Sequence, residues 1–434
     1  MQFIENRIFD ELHIGDSAEF TRVLRAEDIE PLGLGGGFIA ELLSTHLPGP
    51  GTAQVDQSLH VRRRANIGEL VTARIRIRDM VTETRYVTFQ CEYVAKSGEI
   101  LLEGEARVIA PDIKLRRPRV TAAASPHAVG ARHRQLLDAA RKFSPMRTAI
   151  VHPCDRVSLA SAMEAMEAAL IVPVLIGPVV KIRQAAADAG LDLKDMEIVD
   201  VPHSHAAAER AVALGRDAKI DAIMKGALHT DELMAAVMDK GGGLRTERRM
   251  SHVFALDVPY YPKPLFITDA AVNIAPDLDT KRDIIQNAIE LLQALGIQSP
   301  KVAILSAVET VSSRIPSTID AAALCKMADR QQIVGATLDG PMAFDNAISS
   351  AAAHVKGISS LVAGQVDVLV VPDLEAGNML VKQLVYLAGA EAAGIVLGAR
   401  LPIILTSRAD NDMARLASCA LAQMLVHRRG ANRP

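Results

Sequence analysis

The apolar positions change their spacing part-way along the chain. Between residues 50 and 110 they alternate: in VTARIRIRD, Val71, Ala73, Ile75 and Ile77 take turns with Thr72, Arg74, Arg76 and Arg78. A period of two gives a strand one buried and one wet face, so this region predicts an antiparallel sheet. QVDQSLHVRRR, ELVTARIRIRD, TRYVTFQCEYVA and EILLEGEARVIAP supply four such strands. The arginines of the wet face, with Arg62–Arg64, read as solvated charges.

From about residue 134 the pattern is different. RTAIVHP, VPVLIG, IDAIMKG, PLFITDA, KVAILSA, VDVLVVPD and PIILTSR are continuous apolar runs, each followed by a helical segment. Strands buried on both faces look like this, which predicts parallel strands covered by helices. Near the C-terminus, Met413, Leu416, Ala417, Ala420, Leu421, Met424 and Leu425 fall at helical spacing and predict an amphipathic helix packed on that sheet. Between the two regions, IKLRRPRVTAAASPHAVGARH (113–133) has prolines, small residues and basic charge but no apolar period. It reads as a linker.

Composition narrows the picture. The 434 residues are 49% hydrophobic and 23% charged with net charge −3, enough for two or three cores and with no basic field for nucleic acid. Aromatics reach 3% with no Trp, so the cores are built from aliphatic residues and Met. Cys91, Cys154, Cys325 and Cys419 form no CxxC pair, which fits reduced thiols better than disulfides or zinc. MQFIENRIFDEL lacks a signal pattern, and IVPVLIGPVV (171–180) is too short to span a bilayer. The expectation is a soluble cytoplasmic protein that engages neither membrane nor metal.

The chemistry gathers where apolar runs stop. PIILTSRAD ends a strand at Ser407-Arg408 just before a helix, where free N–H groups and the helix dipole favour a phosphate or an oxyanion. Arg408 adds a planar, bidentate clamp. Taken alone, a plain N-cap at Ser407 or Asp410 with Arg408 as a surface charge explains this stretch better. Other run ends repeat the theme. IMKGALHTDEL places Lys225-Gly226 at a strand end with Thr230 as a helix cap, and VVPDLEAGNMLVKQL puts Gly377-Asn378 at a turn with Lys382 one helical turn on. RMSHVFAL holds Ser251 and His252, and LDGPMAFDNAIS holds Asp339 and Asp345. Each has a bland explanation; several polar turns after apolar strands are harder to dismiss.

From about Arg134 onward the chain resembles the phosphate acetyltransferase/phosphate butyryltransferase family, closer to its butyryl branch. LMAAVM after MKG, ITDAAVNIAPDLDTKRDIIQNAIELLQALGI, KVAILSAVETVSSRIPSTIDAAALCKMADR, LDGPMAFDNAIS, VPDLEAGNMLVKQL and IILTSRAD carry the resemblance. It implies a two-lobe, parallel-sheet α/β fold like that of isocitrate and isopropylmalate dehydrogenases, usually dimeric, with the cleft between the lobes. Lobe one would be about 134–267 and 396–434, lobe two about 268–395. The implied reaction is acyl-CoA plus orthophosphate giving acyl phosphate plus CoA, with CoA as substrate, no bound cofactor and no metal. The resemblance places phosphate binding and acyl polarisation on Ser407 and Arg408, and the CoA base on Asp410 or Asp412, with SRAD favouring Asp410. Ser251 matches a substrate-contacting serine in an SxVF segment, and Lys225, Gly226, Gly377 and Asn378 line the cleft. Cys154, in VHPCD, is the rival nucleophile, with no base placed near it by motif.

Residues 1–112 resemble the MaoC-like hotdog enoyl-CoA hydratases, an α+β module, through FTRVLRAEDIE, GGGFIAELLSTHLPGPGT and EARVIAP. In that setting the strand arginines acquire a second reading, as holders of CoA phosphates. The family's DxNPxH catalytic loop is missing, because AEDIEPLGLGGGF runs straight on. Hydratase activity is therefore expected to be lost. Two other readings are weighed: a working hydratase, which needs an Asp/His pair, and a metal- and NAD-dependent dehydrogenase, which needs clustered aspartates and a dinucleotide loop.

Overall fold

The computed structural model describes residues 3–24, 37–66, 68–118, 130–193, 196–405 and 411–431. The chain divides into two compact units, Met1–Ala122 and Ala123–Pro434.

The first unit has strands β1 (Phe3–Glu5), β2 (Ser17–Val23), β3 (Ala53–Val61), β4 (Leu70–Val81), β5 (Tyr86–Ala95), β6 (Ile100–Ile109) and β7 (Arg116–Pro118). β2-β4-β5-β6-β3 form one antiparallel sheet, as the alternation predicts. Val71, Ala73, Ile75 and Ile77 are buried, and the Gly37–Thr45 helix lays Phe38, Ile39, Leu42 and Leu43 into the same core. The wet face is an ion-pair ladder. Arg74 meets Glu19 at 2.6 Å and Glu92 at 2.8 Å, Arg63 meets Glu69 and Glu99, and Arg62 and Arg78 meet Glu103 and Glu105. These arginines are taken up by carboxylates of neighbouring strands and connections, each exposed pair contributing ~0–1 kcal/mol. The start of the expected linker is not free chain. β7 pairs with β1, and the buried Asn6 amide donates to Ile113 O and accepts from Leu115 N. Its far end, from Ala131, is already the helix Ala131–Ala140.

The second unit is built on an eleven-stranded sheet. Its strands are β8 (Met146–Val151), β9 (Ile171–Gly177), β10 (Glu197–Asp200), β11 (Ala222–Lys225), β12 (Ser251–Asp257), β13 (Leu265–Thr268), β14 (Lys301–Leu305), β15 (Thr337–Met342), β16 (Val368–Val370), β17 (Glu391–Leu397) and β18 (Ile403–Ile404). The order is β10-β9-β8-β11-β18-β17-β12-β13-β16-β14-β15. Both flanks are parallel, as the continuous apolar runs predict. The centre is not. β12 runs antiparallel to β13 and β17, and β17 runs antiparallel to β18. One sheet therefore passes through both expected lobes, with β13 and β17 straddling the boundaries read from sequence. A single apolar cluster holding Ile150, Met224, Phe266, Ile289, Ile304 and Leu421 extends across it.

The antiparallel centre has a geometric consequence. Every reversal turns the chain direction, so β8–β11 and β18 end at one edge of the sheet and β13–β16 end at the opposite edge. Ser251, paired with Leu397 at the start of β12, belongs to the second edge.

Candidate active site

The first edge is knitted from the turns after β8 and β11. Gly226 N donates to Val151 O at 2.9 Å and Ala227 N to His152 O at 3.0 Å, while His152 Nδ1 lies 3.0 Å from Ala227 O. A Cβ at Gly226 would sit 2.4 Å from Val151 O, so only glycine allows this approach. Lys225 is half-buried beside it, and Thr230 opens the exposed start of the Thr230–Met238 helix. The expected cap is displaced by one residue: His229 is the N-cap, without a side-chain cap bond.

β18 is the neighbour of β11 and leads toward the same edge. Ser407, Arg408 and Asp410 lie outside the described residues. The chain is described again at Asn411, whose Oδ1 accepts from Ala414 N at 2.8 Å and caps the Asp412–Ala431 helix. Ala417, Ala420, Leu421 and Leu425 of that helix are buried, in the register read from sequence. Asp412 is exposed, and its carboxylate accepts from Arg415 one turn along.

Sequence reasoning missed what steadies this helix start. Asn411 Nδ2 donates to Glu391 Oε1 at 3.3 Å, and Glu391 lies 3.5 Å from the buried His133. Burial pushes the His133 imidazole below its ordinary value, with Glu391 opposing. Beside it, Arg132 Nη1 donates to Asp257 Oδ1 at 3.2 Å, and the same guanidinium reaches the carbonyls of Val258, Tyr261 and Lys263. A buried pair held by that many further hydrogen bonds is compensated for its lost hydration. No motif announces it, since its members come from residues 132, 257 and 391.

The other edge collects the remaining residues. Ser251 is fully buried, its Oγ accepting from Asn287 Nδ2 at 3.0 Å. Asp269, after β13, accepts from the backbone N–H groups of Ala271, Val272 and Asn273 and from Asn273 Nδ2, fixing the ITDAAVN loop. Asp339 lies inside β15 rather than at a turn and is half-buried, its Oδ1 accepting from Gly340 N. Gly377 and Asn378 are likewise not a turn. They sit in the first turns of the Leu374–Ala388 helix, capped by Asp373, where a Cβ on Gly377 would come within 2.7 Å of Val371 and 2.8 Å of Ala270. That glycine serves helix packing. Lys382 is exposed further along the same helix. The residues read as one cleft thus form two groups, because the central strands reverse direction.

Burial pushes the Cys154 thiol up, with Lys181 opposing, so it is a poor thiolate source. Among the described residues, no group of three or more His, Cys, Asp or Glu side chains could hold a metal, and no helix is long and apolar enough to cross a membrane.

Comparison with known proteins gives the family. The family described as "Phosphate acetyl/butaryl transferase" matches residues 205–423. A phosphate acetyltransferase of Rhizobium meliloti is 61% identical over 297 residues, covering 68% of this chain and 94% of the relative. A phosphate butyryltransferase of Clostridium acetobutylicum is 39% identical over 280 residues, covering 64% and 93%. The branch read from sequence is thereby corrected, since the acetyl-named relative is the more similar of the two. A branched-chain phosphotransacylase of Enterococcus faecalis V583 superposes with a TM-score of 0.58 at 29% identity, covering 65% of this chain and 99% of that one. From its matched residues, its identity to these relatives and its mixed sheet, this chain belongs to the phosphate acetyl/butyryl transferase family.

Proposed function

We propose that the chain exchanges an acetyl or butyryl group between coenzyme A and orthophosphate at the edge where β8, β11 and β18 end. The observation that carries this reading is the 61% identity to a phosphate acetyltransferase over 297 residues. In the reaction a phosphate oxygen attacks the thioester carbonyl, a tetrahedral oxyanion forms, and CoA leaves as a thiolate that takes up one proton. Ser407 and Arg408 bind phosphate and meet the oxyanion, ahead of a helix whose N-terminus favours negative charge. Asp410 is the better base of the two candidates, since the Asp412 carboxylate already accepts from Arg415. In the reverse direction the base must deprotonate a thiol of pKa about 8.5 from a carboxylate of about 3.9, a gap of about 6 kcal/mol. Drying the cleft raises the carboxylate and a guanidinium lowers the thiol, which narrows the gap. CoA is a substrate here, not a resident cofactor, and no metal enters the steps.

The finer features belong to the same reading. The first unit is a hotdog module of MaoC type without its catalytic loop, and the stretch where that loop would stand lies among residues 25–36, outside the described residues. The chain works in the cytoplasm as a homodimer or higher homo-oligomer. Support for self-association comes from the Leu374–Ala388 helix, where Met379, Tyr386 and Leu387 are 59%, 77% and 84% exposed on the stripe that also carries Lys382.

The test is acyl-CoA and phosphate with chain length varied, following CoA release, in the native chain and in Arg408→Ala. Losing a charge-assisted contact to the transition state costs on the order of 3 kcal/mol, so turnover falls by about a hundredfold or more. Near-native turnover in a folded Arg408→Ala protein removes the assignment.

A further inference from the structure

At the edge opposite the β18 exit the second unit carries a basic pocket that the acyl-transfer reading does not use. It is a cavity of about 440 Å³ whose lining includes Arg248, Arg400, Arg429, Asn287, Glu247 and Glu290. Arg429 is near the far end of the Asp412–Ala431 helix, about 25 Å from Asp412 at 1.5 Å per residue. The pocket is therefore separate from the start of that helix.

Its charges do not balance. Glu290 pairs with Arg248 at 2.5 Å and is 4.0 Å from Arg429, so one carboxylate serves two guanidiniums. Arg400 is exposed and makes no ion pair among the described residues, and Glu247 is the only other acid in the lining. Arg429 is half-buried, and burial pushes its guanidinium below the ordinary value, with Glu290 opposing and the Arg248 charge adding to the fall. Arg429 Nη1 also donates to Ala399 O at 3.5 Å. A desolvated cation beside a second cation, sharing one carboxylate with it, is the setting in which a multivalent oxyanion is stabilised.

We propose that this pocket binds an anion of the phosphate class, held by Arg248, Arg400 and Arg429. Three guanidiniums around one cavity suit a tetrahedral group with several acceptor oxygens better than a single carboxylate. The same chemistry is offered by free orthophosphate, by pyrophosphate and by the phosphates of coenzyme A.

The test titrates each of these three calorimetrically into the full chain, into Arg400→Gln and into Arg400→Gln/Arg429→Gln, at two salt concentrations. The expected result is that at least one ligand loses about tenfold in affinity in the single variant and one binding event in the double variant. The loss is larger at low salt, and the ligand that shows it names the source. Acyl transfer by the single variant stays at the native rate. Equal affinity and stoichiometry in all three proteins for all three ligands overturns the proposal. Should the double variant fail to fold, the exposed Arg400 position alone decides. The binding comparison reads out whether or not the chain transfers acyl groups, so the two failures are distinguishable.

Discussion

Asn287, on the Leu278–Ala294 helix, donates from one amide nitrogen both to Ser251 Oγ at 3.0 Å and to Arg249 O at 2.9 Å. Ser251 is fully buried and faces that helix, while Asn287 also lines the basic pocket. This position favours a structural role for a serine that the sequence pattern reads as a substrate contact. Ser251→Ala should therefore cost about 1 kcal/mol of stability through one lost hydrogen bond. Its kcat/KM should change by less than about tenfold, under 1.4 kcal/mol. Denaturant midpoints and initial rates on the same preparation check both, and a hundredfold rate loss without destabilisation would return Ser251 to the substrate.

The two units have separate cores, one around Ile75 and Phe89 and the others beyond Ala123. A chain beginning at Ala123 should fold and keep phosphate-dependent CoA release within about threefold of the full protein. If it folds with the native oligomeric state yet is inactive, the first unit contributes to catalysis.

Cys154 stands at the same edge as Lys225 but with its thiol pushed up by burial. Cys154→Ala should leave turnover within about threefold, and no acyl-enzyme should accumulate in a burst experiment. Mass spectrometry of protein quenched during turnover detects an acyl adduct if one forms.

His252 gives the stability a pH dependence. Burial pushes its imidazole down to about 4 from 6.5, with Asp269 opposing. Between those values the unfolded chain binds the proton and the folded chain does not, so stability is full above pH 6.5 and is lost as pH falls toward 4. The gap corresponds to at most about 3 kcal/mol. Urea midpoints from pH 7.5 to 4 should fall accordingly, and His252→Asn should flatten the slope in that window. An unchanged slope would show that other groups carry it.

Much of this protein is legible along the chain. Alternation in VTARIRIRD gives an antiparallel sheet with Val71, Ala73, Ile75 and Ile77 inside, because side chains on a strand repeat every two residues. Unbroken runs such as KVAIL give parallel strands buried on both faces, and the spacing from Met413 to Leu425 gives the helix that follows SRAD. The family, too, is carried by local strings of residues. Strand direction is not written locally. β12 and β17 are apolar like their neighbours, and only their pairing partners show that they run the other way. That reversal sends Ser251 and Gly377 to one edge and Lys225 and Gly226 to the other. The contacts around Arg132 and Glu391, and the three arginines of the basic pocket, are likewise decided by tertiary structure. Their members are distant in sequence and meet only when the sheet is assembled, so no spacing rule could have joined them.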